Sequence, residues 1–458
     1  MNCSRLRAAL LRSALVAVIA IGAAKVSSAD TNIYEPNVDP GVGFNLVSWW
    51  NFGGSGSSVW QNAVQSVYDA GFREVSLSPV RFVNDTTGAI AATSSQGPEL
   101  AHIAAGIQRA KSLGMRVTVN PFVELQNFSY WRGQYDPTPG GAEWNNFWND
   151  YTAYLIAVAQ VAQANGADAM NVGTELRAIT RNPGNNAKWT TAISAVDLTF
   201  SGQIGYAANW DNFTNSNVAA TIWNHPAIDY LGIDAYFRNT TTNAQADASG
   251  VDPNEAFIAQ VEVGWTNRLD NEILNFAAAQ GGGAGLPVVL TEVGYLPYNR
   301  TAVNPQDSSG PLDTSEQVMA FKGLMRALDG RSDQLQAAHI WQWGMPGSNG
   351  SLWNINATNP ANQPNNLPLG QWLSSFVSAP QLAGDFNGDG LVDVADYTTW
   401  RDGLGAEYPI EDYAVWVARF GDTLAAGGSA STASIPEPGV LATIVCWLVV
   451  GSTRRTPH

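Results

Sequence analysis

The sequence predicts an α/β protein, a closed (β/α)8 barrel followed by a small α-helical module. Three observations point there. Between Gly43 and Phe376, short β-branched or apolar runs alternate with amphipathic helix-like stretches, eight runs in all. Such alternation builds a parallel sheet, and eight strands is the number that closes one into a barrel. The chain of 458 residues holds a barrel, which consumes ~250 residues or more, with room for flanking segments. The glycine-rich phosphate turn of an open doubly wound sheet is missing, because Gly53-Gly54-Ser55-Gly56 does not carry that spacing.

The eight runs are Gly43–Trp49, Glu74–Pro79, Arg116–Pro121, Ala169–Gly173, Gln203–Ala208, Tyr230–Ala235, Pro287–Thr291 and Ala338–Trp343. Helical patterning falls between them, at Trp60–Ala70, Glu99–Leu113, Trp144–Asn165, Asn254–Ala279 and Thr314–Leu328. The composition is that of a globular chain, 45% hydrophobic with 17 Trp, 14 Tyr and 16 Phe, too apolar for intrinsic disorder. A formal charge of −16 excludes nucleic acid as a partner, since displacing counterions from phosphates needs a basic surface.

The ends read as addresses. Residues 1–29 form a signal peptide: Arg5, Arg7 and Arg12 precede the apolar stretch Ala14–Ala24, and Ser27-Ser28-Ala29 supplies small residues for cleavage. At the other end Pro436-Glu437-Pro438, the apolar run Val440–Val450 and Arg454-Arg455 resemble a PEP-CTERM sorting signal over residues 436–458. Such a segment implies transient membrane contact, and with the signal peptide it implies a secreted or cell-surface protein. The only cysteines, Cys3 and Cys446, lie in these two segments, so the body between them has no thiol chemistry.

Chemistry in a barrel is carried at the C-terminal ends of its strands. The fourth run leads into Gly173-Thr174-Glu175-Leu176 and the seventh into Thr291-Glu292-Val293. Two carboxylates on strands three apart in a ring of eight face one another across its mouth. A carboxylate is costly to bury unpaired, and a pair flanking a glycosidic bond is the machinery of sugar hydrolysis. Aromatic residues gather at the same face: Trp49 and Trp50 after the first run, Trp210 after the fifth, Tyr236 after the sixth, Trp341 and Trp343 on the eighth. Sugar rings stack their C–H faces on such side chains. Arg81, Asn120, Glu124, Asn209 and Asp234 are further strand-end groups able to bind hydroxyls or hold loops. The four histidines show no metal-ligand spacing.

The motifs Val119-Asn120-Pro121-Phe122-Val123-Glu124-Leu125, Trp131-Arg132-Gly133, Gly173-Thr174-Glu175-Leu176 and Thr291-Glu292-Val293-Gly294-Tyr295 resemble those of glycoside hydrolase family 113. That family belongs to the clan of retaining hydrolases built on a (β/α)8 TIM barrel. The resemblance covers roughly Gly43–Phe376, within a catalytic domain spanning 30–379. It implies that Glu175 is the acid/base and Glu292 the nucleophile of an endo-β-1,4-mannanase acting on polysaccharide without a catalytic cofactor. It also implies that Tyr236 bonds the nucleophile and that a Trp of the eighth strand floors the subsite of the attacked sugar. Many clan members place Asn directly before the acid/base to bind the 2-hydroxyl. Here that neighbour is Thr174, so Asn171 or another strand-end group takes the contact, or the sugar differs. A β-1,4-glucanase, an exo-acting β-glycosidase and a non-catalytic carbohydrate-binding protein remain open on the same barrel.

Residues 380–424 hold a second motif. Asp385, Asn387, Asp389, Leu391 through its carbonyl, Asp393 and Asp396 stand at positions 1, 3, 5, 7, 9 and 12 of an EF-hand-type calcium loop, with Gly390 at position 6. Asp at the last position resembles a dockerin module, which implies a cohesin-like or surface partner. Asp396-Tyr397-Thr398-Thr399-Trp400 is echoed by Asp412-Tyr413-Ala414-Val415-Trp416, two helix starts in a repeat. The second lacks a ligand loop, so one calcium site is expected. Residues 425–435 form a small-residue linker.

Overall fold

Eight parallel strands close into a ring in which every strand pairs with its neighbours on both sides. In a computed structural model, the structure describes residues 41–91, 96–239, 255–345, 391–404 and 412–422, with Trp353, Ile355, Gly384, Phe386 and Ile410. The signal peptide, the linker, the sorting segment and the calcium ligands Asp385, Asn387 and Asp389 lie outside the described residues.

The ring consists of β1 (Gly41–Val47), β2 (Glu74–Ser78), β4 (Arg116–Val119), β6 (Ala169–Thr174), β7 (Gln203–Asn209), β8 (Tyr230–Asp234), β9 (Val288–Val293) and β10 (Leu335–Ile340), with β10 returning to β1. This is the (β/α)8 TIM barrel expected from the alternation. Seven of the eight runs match within a few residues at each end. The eighth differs: β10 starts at Leu335 and stops at Ile340, so Trp341 and Trp343 lie beyond it.

Two short strands were not foreseen. Pro79 directly follows β2 and Pro121 follows β4 after Asn120, and proline has no N–H to give a ladder. The chain resumes as β3 (Val80–Val83) and β5 (Phe122–Leu125), which pair with each other in a separate parallel ladder that sets Phe82 opposite Glu124.

The helices pack outside the ring. In α1 (Gly56–Asp69) the buried residues Trp60, Ala63, Val64 and Val67 recur at the spacing of one helical face. α2 (Leu100–Ser112) buries Ile103, Gly106, Ile107 and Ala110 in the same way. α3 (Ala142–Ala164) buries Phe147, Trp148, Tyr151, Leu155 and Val158. α4 (Asn186–Asp197), α5 (Glu255–Arg268) and α6 (Thr314–Leu328) continue the layer. Fully burying one such aliphatic or aromatic side chain contributes ~1.5–3 kcal/mol, and this apolar shell holds the strand ends in place.

After the barrel, α7 (Val394–Gly403) and α8 (Asp412–Arg419) begin where the repeat predicted helices. Their aromatic residues interlock, with Tyr397 5.3 Å from Trp416 and Trp400 5.2 Å from Tyr413 between ring centroids. Among the described residues no helix is long and apolar enough to cross a membrane.

Candidate active site

Glu175 follows β6 directly. Its backbone is left-handed (φ 53°), a conformation that costs a non-glycine residue ~1–3 kcal/mol and clusters at functional sites. Its N–H donates to the Ala207 carbonyl on β7 at 2.8 Å, which anchors the turn. The carboxylate is buried and accepts three hydrogen bonds. Arg132 Nη2 reaches Oε2 at 2.6 Å, Trp131 Nε1 reaches the same oxygen at 3.3 Å, and Asn209 Nδ2 reaches Oε1 at 2.7 Å.

Arg132 is shared. Its Nη1 donates to Oε2 of Glu124 on β5 at 3.1 Å, and its guanidinium carbon lies 4.6 Å from the centroid of Phe122. Burial opposes the charge on this side chain, but Glu175 and Glu124, followed by Glu292 and Asp234, outweigh it and raise its pKa.

Glu292 lies on β9, and its Oε2 accepts the Tyr236 hydroxyl at 2.8 Å. Among the described residues its Oε1 meets no donor. Burial, then the charge of Glu175, pushes Glu292 up to about 8, against the opposing pull of Arg132 and Tyr236. Two carboxylates in one buried site do not both ionise readily, so the pair keeps one proton through neutral pH. Burial and the Glu292 charge hold the Tyr236 phenol well above its usual range, which keeps it a donor. Beside them Asp234 ends β8 fully buried, and its Oδ1 accepts Thr291 Oγ1 at 2.7 Å. Burial, then Glu292 and Glu175, drive that carboxyl well above the usual carboxylate range.

Both glutamates line one open cavity with Trp131, Arg132, Asn209, Trp210, Asp211, Tyr236, Gln306, Trp341 and Trp353. Trp341 stands at its wall 6.0 Å from Phe122 and 6.5 Å from Trp49, so Trp49 supports it from behind. Trp353 packs on Tyr236 at 5.4 Å.

Eight of the site residues expected from sequence therefore meet in this cavity: Glu175, Glu292, Trp131, Arg132, Asn209, Trp210, Tyr236 and Trp341. The others need correction. Trp50 is 64% exposed, bridges to Gln96 and does not line the cavity. Asn120, Asn171 and Thr174 are buried inside the barrel and bond to one another. Asn120 Oδ1 accepts both Asn171 Nδ2 and Thr174 Oγ1 at 2.8 Å, and Tyr230 donates to Asn171 Oδ1 at 2.7 Å. None of the three lines the cavity, whereas Asn209, beside Glu175, does. Trp343 lies under α1, 4.9 Å from Phe44, with Nε1 donating to Ser66 Oγ at 2.9 Å. Arg81 holds a loop, donating to the carbonyls of Val80 and Pro98. Trp353, Gln306 and Asp211 were missed, since loop residues carry no periodic signal.

The cavity residues offer carboxylates, amides and indoles. Among the described residues no group of three or more His, Cys, Asp or Glu side chains could hold a metal ion. In the module after the barrel, Asp393 caps α7 by accepting from Ala395 N at 2.7 Å, and Asp396 accepts from Asp393 N at 2.7 Å.

A family model, Glycoside Hydrolase Family 113, matches residues 56–350. The chain belongs to glycoside hydrolase family 113. Solved structures of family 113 share its fold. One, the β-mannanase from Alicyclobacillus acidocaldarius in complex with ManMIm, is 17% identical with a TM-score of 0.54, over 75% of this chain and 97% of that one. Two structures of a family 113 β-1,4-mannanase are 15% identical, with TM-scores of 0.52 and 0.53 over 74% of this chain and 99% of theirs. No curated relative matches by sequence. In this family 113 glycoside hydrolase, Glu175 and Glu292 stand at the ends of two ring strands and line one cavity.

Proposed function

We propose that this family 113 hydrolase is a retaining endo-β-1,4-mannanase, with Glu292 as nucleophile and Glu175 as acid/base. One observation carries the reading: Glu175 and Glu292 line the same aromatic-walled cavity in opposite surroundings. Glu292 has one oxygen held by Tyr236 and the other facing no protein donor among the described residues, as suits an atom that must attack. Glu175 is held by three donors, which favour its carboxylate, the form it takes once its proton is given away and from which it acts as the base of the second step. The structural likeness to β-mannanases supports the choice of sugar.

In the first step Glu292 Oε1 bonds to the anomeric carbon while the glycosidic C–O bond breaks. Glu175 gives its proton to the departing oxygen. Glu175 then takes a proton from water, the water oxygen bonds to the anomeric carbon, and Glu292 is released. Catalysis draws on the tautomer that places the shared proton on Glu175 and the charge on Glu292, where the Tyr236 hydroxyl stabilises it. The face of Trp341 takes the C–H face of the attacked sugar.

The reading is tested by incubating the protein with mannan, glucomannan, carboxymethyl cellulose and xylan, and following the anomeric protons of the first product by NMR. Mannan is cut to oligosaccharides with the β-anomer appearing first, and Glu292→Ala abolishes turnover. A first-formed α-anomer refutes retention. Cleavage of carboxymethyl cellulose in place of mannan makes the protein a glucanase, and binding without cleavage makes it a lectin-like protein.

We propose further that the enzyme works outside the cytoplasmic membrane, exported by residues 1–29 and sorted by 436–458. The segment 385–396 binds one calcium ion and offers a surface to a cohesin-like partner. Mass spectrometry of the exported protein tests the first point, and calorimetry with Asp389→Ala tests the calcium site.

A further inference from the structure

We propose that Glu124 is a positioning residue for catalysis: it shares the Arg132 guanidinium with Glu175 and so keeps that carboxyl able to carry the proton it must donate. The inference rests on Glu175 being the acid/base.

The geometry sets up a competition. Arg132 reaches Glu175 through Nη2 at 2.6 Å and Glu124 through Nη1 at 3.1 Å. The two carboxylates therefore sit on separate arms of one rigid planar fork. All three residues are buried, with side-chain exposures of 11% for Arg132, 9% for Glu124 and 7% for Glu175, where water screens little of their interaction. Glu124 is itself anchored: it stands in the β3–β5 ladder, and its Oε1 accepts the Leu125 N–H at 3.0 Å.

A general acid that faces an uncompensated arginine is held as the carboxylate, because a nearby cation favours the charged form. The shared proton would then stay on Glu292, and no acid would face the leaving group. Glu124 takes up part of the guanidinium charge and makes the other tautomer accessible. After proton transfer the same cation, still held in place by Glu124, steadies Glu175 as the base of the second step.

Other charged or titratable groups around Glu175 are Glu292 on β9, Asp234 on β8, Tyr206 on β7, Tyr236 after β8, and the Asp211–Arg177 ion pair (2.7 Å) at the rim. Asn209 and Trp131 are neutral donors. Among the described groups around Glu175, only Arg132, which Glu124 contacts directly, links Glu124 to the proton shared by Glu175 and Glu292.

The test compares the full-length enzyme with Glu124→Gln, Glu124→Asp and Arg132→Gln. The substrates are a β-1,4-manno-oligosaccharide, whose leaving group needs a proton, and a dinitrophenyl β-mannobioside, whose leaving group needs none. With Glu124→Gln, the alkaline limb of kcat/KM on the oligosaccharide moves down by ~1 pH unit or more. At a pH above the shifted limb the oligosaccharide rate falls about tenfold, while the dinitrophenyl substrate stays within about twofold in the glycosylation step. Glu124→Asp restores the limb, and Arg132→Gln moves it upward. Equal losses on both substrates with an unmoved limb overturn the proposal and leave Glu124 a structural residue. Should Glu124→Gln fail to fold, a downward or unmoved limb in Arg132→Gln overturns it as well. A wild-type enzyme inactive on both substrates fails the hydrolase reading first, and this inference with it.

Discussion

Tyr236 gives its phenolic hydrogen to Oε2 of Glu292 at 2.8 Å, and among the described residues no donor reaches Oε1 of the same carboxylate. The bond steadies charge on Glu292 without covering the oxygen that attacks. A hydrogen bond to a charged group is worth ~1.5–3 kcal/mol, so Tyr236→Phe is expected to cost roughly 10- to 150-fold in kcat/KM. Steady-state kinetics on mannan checks this, and a loss below threefold would show that the hydroxyl does nothing for the nucleophile.

The pH profile follows from the proton the two glutamates share. Glycosylation needs one acid and one base, hence one proton between them. Burial and the charge of Glu175 push Glu292 up to about 8, so the singly protonated pair persists through neutral pH and is lost above it. The alkaline limb of kcat/KM is expected near that value. An enzyme that loses activity well below neutrality on its alkaline side would contradict the coupling.

Stability should respond to the same group with a definite sign. The Glu292 carboxyl titrates near the ordinary glutamate value of 4.5 in the unfolded chain, and burial and the charge of Glu175 push it up to about 8 in the fold. Between those values the native state holds the extra proton, so stability is present at the acid end and declines as pH rises. Glu292→Gln removes the decline. Its stability is expected to overtake that of the wild type as pH climbs, by an amount on the order of 5 kcal/mol at the alkaline end, read as a higher melting temperature. A constant difference across pH in calorimetry would refute it.

Trp341 and Trp343 separate binding from folding. Trp341 lines the cavity, whereas Trp343 packs between Phe44 and Phe72 under α1. Trp343→Ala should cost ~3–5 kcal/mol of stability, as for other buried aromatic truncations. Trp341→Ala should leave most of the stability and raise KM for mannan. Denaturant melts and kinetics on both variants decide, and a reversed pattern would return Trp343 to the cleft.

Much of this arrangement was legible because the strands are buried on both sides and read as unbroken apolar runs. Glu175 and Glu292 stood out as the carboxylates that end two of them. Legibility failed where side-chain parity failed. β10 stops at Ile340, so extending its period-two pattern wrongly put Trp343 on the face of Trp341. In β6 the register shifts between Asn171 and Thr174, an irregularity of the β-bulge kind that re-aims side chains. Both residues consequently meet Asn120 inside the barrel, while Asn209 lines the cavity beside Glu175. Gln306 and Trp353 come from loops, where neither period applies, and only the folded chain brings them to the cavity.

The ladder of β3 and β5 lies outside the closed ring, its strands starting directly after Pro79 and Pro121. On the proposed role of Glu124, substitutions in this outlying ladder would retune the acid through Arg132 while the carboxylate proposed to attack remains seated on a strand of the ring.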